Sequence, residues 1–402
     1  MTMNQNLDLL QPYPFQKLKK LLADTSRNMS LKPVDLHIGE PKHSTPDFIR
    51  QAMIQHLDGL ANYPTTQGSL ALRQSIANWL MQRYHLPAIN PETEVIPVNG
   101  SREALFSFAQ AVVDMAKNEP PAVICPNPFY QIYEGAALLA GATPQFINTT
   151  AEDHFRLNYA QLPEDVWKQA QLIYVCSPGN PTGSVMAMDE WQQLFELSDH
   201  YGFIIAADEC YSEIYPDENN PPLGALEAAH RLGRTGFSRL VVFNSLSKRS
   251  NVPGLRSGFV AGDAQILKKY LLYRTYQGCA MNPASQAAST AAWNDETHVA
   301  DNRRMYREKF SRIKSLLAGT LAIRLPDASF YLWIKTPVSD TEFTKRLYRD
   351  YNVTVLPGSY LGRSVRGVNP GENFVRIALV APLDDCVDAA GRIKNLLNHL
   401  NS

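Results

Sequence analysis

Leu240-Val-Val-Phe-Asn-Ser245-Leu-Ser-Lys248-Arg-Ser-Asn-Val-Pro-Gly-Leu-Arg256 begins as an apolar run and breaks into a polar loop. Four apolar residues in a row, Leu240 to Phe243, predict a strand buried on both faces, as in the middle of a parallel sheet. Lys248 then stands just past the strand end, where open α/β sheets bind their ligands. A loop lysine is by default a solvated charge. Its neighbours argue otherwise. Ser245 and Ser247 bring hydroxyls, and Arg256 brings a planar fork that matches a phosphate dianion. The lysine amine itself can condense with an aldehyde.

Three further runs end in the same way. Val95 to Val98 passes through Asn99-Gly100-Ser101-Arg102 into a helix of Ala104, Leu105, Phe108 and Val112. A strand, a Gly and a helix start bring free N–H groups and the positive end of a helix dipole together, which suits an anion. Leu172 to Cys176 stops at Ser177-Pro-Gly-Asn180-Pro-Thr-Gly183, a cluster of turn formers that displays Asn180 at the strand end. Phe203 to Ala207 delivers Asp208-Glu-Cys-Tyr211. An acid directly after an apolar run needs a cation, because a buried unpaired carboxylate is costly. Singly, each has a plainer reading as a turn or a loop residue. Together, the ends at 98, 176, 207 and 243 carry an amine, a phosphate cradle and an acid in want of a cation. That set suits pyridoxal phosphate, whose protonated pyridine nitrogen would meet Asp208 and make the ring an electron sink. Tyr211 and Asn180 are placed to bond the ring hydroxyl.

Elsewhere the signals are weaker. Leu9-Gln-Pro-Tyr-Pro-Phe leads into a short amphipathic helix from Gln16. Val34-Asp-Leu-His-Ile-Gly39-Glu-Pro41 is a short strand ending in a turn, and Gly39 lets a ligand approach the backbone. Tyr63 precedes a proline and is held extended in a loop, while Gly68 and Ser69 open a helix that carries Leu72, Ile76 and Trp79. Ala122 to Cys125 is a strand followed by Tyr130, which could cover a planar ring, although core packing is the plainer role. Beyond a strand at 257–261, helices are expected over 264–276 and, as one long element, over 282–317. From Leu321 the pattern alternates strands (330–334, 353–356, 374–378) with helices (340–350, 383–397), which predicts a second, smaller α/β domain. Arg376 lies inside the last of these strands and should meet a carboxylate, from the protein or from a substrate.

The bulk numbers fit a small-molecule enzyme. The 402 residues are enough for two domains, and 45% hydrophobic with 19% charged residues is an ordinary globular composition. With 38 basic and 39 acidic residues there is no field to draw nucleic acid or an anionic membrane. Met1 to Pro14 lacks the pattern of a signal peptide, no apolar run is long enough to span a bilayer, and five scattered cysteines suggest reduced thiols, so a cytoplasmic location is expected. No zinc spacing, Walker loop or Gly-x-Ser-x-Gly elbow is present, and no metal site is expected.

Asn180-Pro-Thr-Gly183, Asp208-x-x-Tyr211 and Ser245-x-x-Lys248 through Arg256, in that order, resemble the motifs of fold-type I pyridoxal phosphate enzymes, specifically the class I/II aminotransferases related to aspartate aminotransferase. The resemblance implies a large domain with a mainly parallel sheet flanked by helices, over 46–284. It implies a smaller α/β domain over 285–402, and a stretch over 1–45 that forms an arm and part of the small domain. It also implies roles. Lys248 would hold the cofactor covalently, Asp208 would pair with the pyridine nitrogen, Asn180 and Tyr211 would meet the ring oxygen, and Tyr130 would stack on the ring. Ser101, the Arg102 backbone, Ser245 and Arg256 would hold the phosphate, with Tyr63 reaching it from the other subunit of a homodimer. Gly39, Asn180 and Arg376 would grip the substrate α-carboxylate.

Within that family, Leu9-Gln-Pro-Tyr-Pro-Phe-Gln-Lys-Leu, Leu356-Pro-Gly-Ser-Tyr-Leu-Gly and Gly367-Val-Asn-Pro-Gly371 look most like succinyldiaminopimelate aminotransferases of bacterial lysine synthesis. A broad or aspartate-directed aminotransferase is the alternative. It would need a second cation, for which Arg274, Arg363 and Arg366 are candidates. A carbon–sulfur lyase is a further rival, as is a regulator without catalysis, though the chain shows no basic DNA-binding extension.

Overall fold

The computed structural model describes residues 3–116, 120–320 and 323–401. Met1, Thr2 and Leu321, where the C-terminal alternation was set to begin, lie outside them. In chain order the strands are β1 (Val34–Asp35), β2 (Val95–Val98), β3 (Ala122–Asn127), β4 (Thr143–Asn148), β5 (Ala170–Cys176), β6 (Ile204–Asp208), β7 (Leu240–Ser245), β8 (Gly258–Gly262), β9 (Tyr331–Lys335), β10 (Val353–Thr354), β11 (Leu356–Pro357) and β12 (Phe374–Ala378).

The apolar runs form one seven-stranded sheet in the order β2-β8-β7-β6-β5-β3-β4, parallel throughout except that β8 runs antiparallel to both neighbours. Alternation along each strand feeds two cores. Ile173 and Val175 of β5 join Ile205, Ala207, Val242 and the helix Leu70–Tyr84 on one face. Leu172 and Tyr174 join Ala206, Phe243 and the helix Ser101–Val112 on the other. Burial on both faces is why these strands read as unbroken apolar runs.

The C-terminal strands form a separate antiparallel sheet, β11-β12-β9, and β1 pairs in parallel with β10. The strand expected over 353–356 is therefore two short strands in different sheets. β10 answers β1, and after Val355 the chain turns to pair with β12. β4 escaped the sequence reading because it is a half-buried edge strand carrying Pro144 and Gln145.

The long helix expected over 282–317 is two helices, Pro283–Trp293 and Thr297–Leu317. Buried Arg249 explains the break: its guanidinium donates to the Ala292 carbonyl at 2.7 Å and the Asp295 carbonyl at 3.3 Å, and the Asp295 carboxylate caps the second helix by accepting from the His298 N–H at 3.0 Å. Pro283–Trp293 crosses the expected domain boundary at 284/285. Its Ala288, Ala292 and Trp293 enter a core of the large sheet, so we propose a boundary beyond residue 293.

Candidate active site

A cavity of about 570 Å³ opens at the carboxyl ends of β5, β6 and β7. Lys248 enters it from the short helix Leu246–Arg249, whose N-cap Ser245 accepts a hydrogen bond from the Ser247 N–H at 3.1 Å. Its ammonium donates to the Gly39 carbonyl at 2.5 Å. Removal from water pushes the Lys248 amine down to about 8, so a useful fraction is neutral near physiological pH, as a nucleophile requires.

Asp208 ends β6 and is 4% exposed. One carboxylate oxygen accepts from the Tyr133 hydroxyl at 2.7 Å and the other from the Cys210 N–H at 3.3 Å. No lysine or arginine bonds to it among the described residues, and burial pushes its carboxyl up. An ion left so, even with two hydrogen bonds, costs several kcal/mol. Among the described residues no cation is hydrogen-bonded to it, Lys248 acting only from a distance, and Asp208 lines the cavity.

Arg376 is the mirror case. It is 4% exposed and meets no carboxylate among the described residues. It donates to Asn180 Oδ1 at 2.9 Å and to the His37 carbonyl at 2.8 Å, lies 4.5 Å over the Tyr331 ring, and keeps a buried Nε with no partner. No carboxylate among the described residues answers it, and its two terminal nitrogens, each bonded once to the protein, keep a second N–H for a ligand. Gly39 lies beside it, and a Cβ there would fall 2.0 Å from the Tyr331 hydroxyl. Tyr211 lines the cavity and its hydroxyl is 2.9 Å from that of Tyr331. Tyr133 and Tyr331 were not singled out in the sequence, since an aromatic within an apolar stretch reads as core.

At the opposite end, Gly100 (φ 87°) precedes Ser101, the first residue of its helix. Arg256, in the left-handed region at φ 54°, donates to the Asn99 carbonyl at 3.3 Å, and a Cβ on Gly100 would lie 2.2 Å from its guanidinium. Ser101, Ser245, Ser247 and Arg256 all line the cavity, as does Tyr130, whose hydroxyl accepts from Arg102 Nε. The Arg102 side chain therefore faces the cavity, where the sequence had suggested its backbone. Tyr63 does not join this group: it is fully exposed and absent from its own chain's cavity.

The family model of class I and II aminotransferases matches residues 32–393. The chain belongs to that family. The LL-diaminopimelate aminotransferase of Aquifex aeolicus is 32% identical over 404 aligned positions, covering 98% of each chain. An aminotransferase of Neisseria meningitidis superposes with a TM-score of 0.95 at 52% identity, over 98% of this chain and all of that one. The aminotransferase AspB of Helicobacter pylori does so with 0.89 at 35%, over 99% and 100%. The chain is thus an aminotransferase acting on amino and oxo acids, with the fold-type I architecture and pyridoxal phosphate dependence of its family.

The aminotransferase cavity fits that cofactor on its own chemistry. Asp208 is a buried acid lacking a cation, the Ser101–Arg256 end is an anion cradle, and Lys248 is a buried amine of lowered basicity. Among the described residues no helix is long and apolar enough to cross a membrane, and no cluster of potential metal ligands occurs.

Proposed function

We propose that this aminotransferase exchanges an amino group between N-succinyl-LL-2,6-diaminopimelate and 2-oxoglutarate in bacterial lysine synthesis, in two half-reactions at one site. The cofactor, when bound, supplies the sink for negative charge developing at the substrate Cα. Asp208 would hold the pyridine nitrogen's proton, Asn180 and Tyr211 would meet the ring oxygen, and Tyr130 would lie against the ring. Ser101, the Arg102 backbone, Ser245 and Arg256 would hold the phosphate. Arg376, with Gly39 and Asn180, grips the α-carboxylate so that the Cα–H bond faces Lys248. The Lys248 amine would be the base that takes the substrate Cα proton and the acid that gives it back.

The observation that carries the substrate reading is the cavity's charge pattern. Arg274 is tied to Glu103 and Arg363 to Glu134, while Arg366 lies exposed against the Gln161 carbonyl, and none lines the cavity. Arg102 does line it, bonded to the Tyr130 hydroxyl and to no carboxylate among the described residues. That leaves a fork for a distal carboxylate. Free diaminopimelate would also bring a distal ammonium, yet Glu40, the acid at the rim, is already paired with Lys42. Succinylation removes that ammonium and adds a carboxylate. The names of the LL-diaminopimelate aminotransferase relatives support a diaminopimelate substrate in lysine synthesis, and not its succinyl group.

The test is a half-reaction panel following loss of the bound cofactor's yellow absorbance. Fast reaction with the succinylated substrate and glutamate, and slow reaction with aspartate and unmodified LL-diaminopimelate, is expected. Fast aspartate with an inert succinylated substrate would replace this reading with the aspartate one. Arg102→Gln should cost about 10- to 100-fold in kcat/KM for the succinylated substrate, the worth of one charge-assisted contact, and leave alanine unchanged.

We also propose a homodimer in which Tyr63 reaches the partner's phosphate cradle. Ile54, Leu57, Leu60, Tyr63 and Leu70 are all exposed within one short stretch, an apolar surface in want of cover. Sedimentation should show a dimer that Leu60→Asp dissociates with loss of activity. A monomer fully active at high dilution would refute it.

A further inference from the structure

Residues 39–45 touch the neighbourhood of Lys248 three times. The Gly39 carbonyl accepts from the Lys248 amine, the Thr45 hydroxyl donates to the Asn251 carbonyl at 2.9 Å, and His43 Nδ1 lies 2.8 Å from Asn302 Oδ1. Asn302 is 1% exposed, and its amide donates to the Lys248 carbonyl at 3.1 Å and the Arg249 carbonyl at 3.5 Å. These are end carbonyls of a four-residue helix and have no continuation to bond them. Asn302 thus replaces the missing helical turn.

The Asn251 amide donates to Asn302 Oδ1 at 3.1 Å, and a second hold on Asn302 comes from one step further out. Lys309, 2% exposed, sits 2.7 Å from His43 Nε2 and donates to the Leu379 carbonyl at 3.1 Å. The groups that face it are His43 from the N-terminal segment, the Cys386 thiol from the helix Leu383–Asn401, and the Tyr306 ring of its own helix, 5.0 Å away. No carboxylate bonds to it among the described residues. Burial pushes Lys309 down to about 8, so below that pH it is mainly an ammonium, which can only donate; His43 Nε2 then accepts and His43 carries its proton on Nδ1. That proton goes to Asn302 Oδ1, which leaves the Asn302 NH₂ to serve the Lys248 backbone. Burial and the adjacent Lys309 hold His43 below its ordinary value, which keeps it neutral.

We propose that Lys309, His43 and Asn302 are positioning residues for the catalytic lysine, a directional hydrogen-bond chain that fixes the Lys248 backbone while the same N-terminal segment receives its amine. The chain also spans the two sheets. Leu379, which anchors Lys309, lies three residues past Arg376. The lysine and the α-carboxylate arginine are thereby held in one frame. This rests on Lys248 being the catalytic amine, as proposed above.

The test uses holoenzyme carrying Lys309→Met, with Lys309→Arg as the conservative rescue. The readouts are the pH titration of the bound cofactor's visible absorbance and the steady-state constants. Lys309→Met is expected to move the titration midpoint by about half a pH unit or more and to lower kcat about tenfold. KM for the amino donor and cofactor retention should stay unchanged, and Lys309→Arg should restore both readouts in part. His43→Phe, at a half-buried position, should give the same shift and keeps the test decisive if the lysine variant folds poorly. An unchanged midpoint and kcat in either folded variant, with only a lowered melting temperature, would overturn the proposal. A failure of the Lys248 assignment is distinguishable, because Lys248→Ala would then retain turnover.

Discussion

Lys248→Ala is expected to lose steady-state transamination by at least about 10⁴-fold, since one substitution removes both the nucleophile and the proton-transfer group. The structure makes the loss hard to compensate. The buried amine is pushed down to about 8 by its surroundings, and the other lysine near it, Lys309, is turned toward His43 and the Leu379 carbonyl. Two measurements separate this from a folding defect. Borohydride treatment of the wild-type holoenzyme should leave the cofactor permanently attached by mass, and the variant should gain nothing. The variant should still bind pyridoxal phosphate reversibly, because Asp208 and the Ser101–Arg256 cradle remain. Normal turnover by the variant would end the assignment.

Arg376→Ala should lower kcat/KM by about 30-fold to several thousand-fold, the range for losing one partner of a desolvated charge pair worth 2–5 kcal/mol. The decisive feature is uniformity. Every amino acid carries an α-carboxylate, so succinylated, acidic and neutral substrates should fall together, unlike the selective loss in Arg102→Gln. The stability cost should be small. Arg376 has no protein carboxylate to leave behind, and its removal frees only Asn180 Oδ1 and the His37 carbonyl while relieving a buried unpaired charge. Lysine in its place should recover little, lacking the planar fork. Unchanged KM and kcat/KM would refute the role.

What could be read from the sequence was what is local. The central strands announced themselves as apolar runs because they are buried on both faces, and the polar residues immediately after them, Ser101, Asp208 and Ser245, do reach one cavity. The edge strand β4 had no such run. The break between the helices Pro283–Trp293 and Thr297–Leu317 depends on Arg249, more than forty residues earlier, and no helical periodicity reports a partner at that distance. Tyr331 and Lys309 were invisible for the same reason: their meaning lies in Tyr211 and His43, on segments far away in the chain. Asp208 and Arg376 were legible through energetics. Each was an ion where an unpaired ion is costly, and each has proved to have no protein counter-ion among the described residues, which is how a site for an outside ion looks.

The pairing of β1 with β10 joins residue 34 to residue 353, and the Ala378 N–H closes on the Leu36 carbonyl at 2.8 Å. During synthesis, then, the part of the chain that carries Gly39 is made well before the strand that seats it. The central sheet draws all its strands from residues 95 to 262 and can assemble while the polypeptide is still growing. A nascent chain cut short before residue 353 would hold the lysine and the acid, yet neither the arginine nor the strand that brings Gly39 to them. The strand pair that seats Gly39 beside the lysine is completed only once residues 353 and 354 have been made.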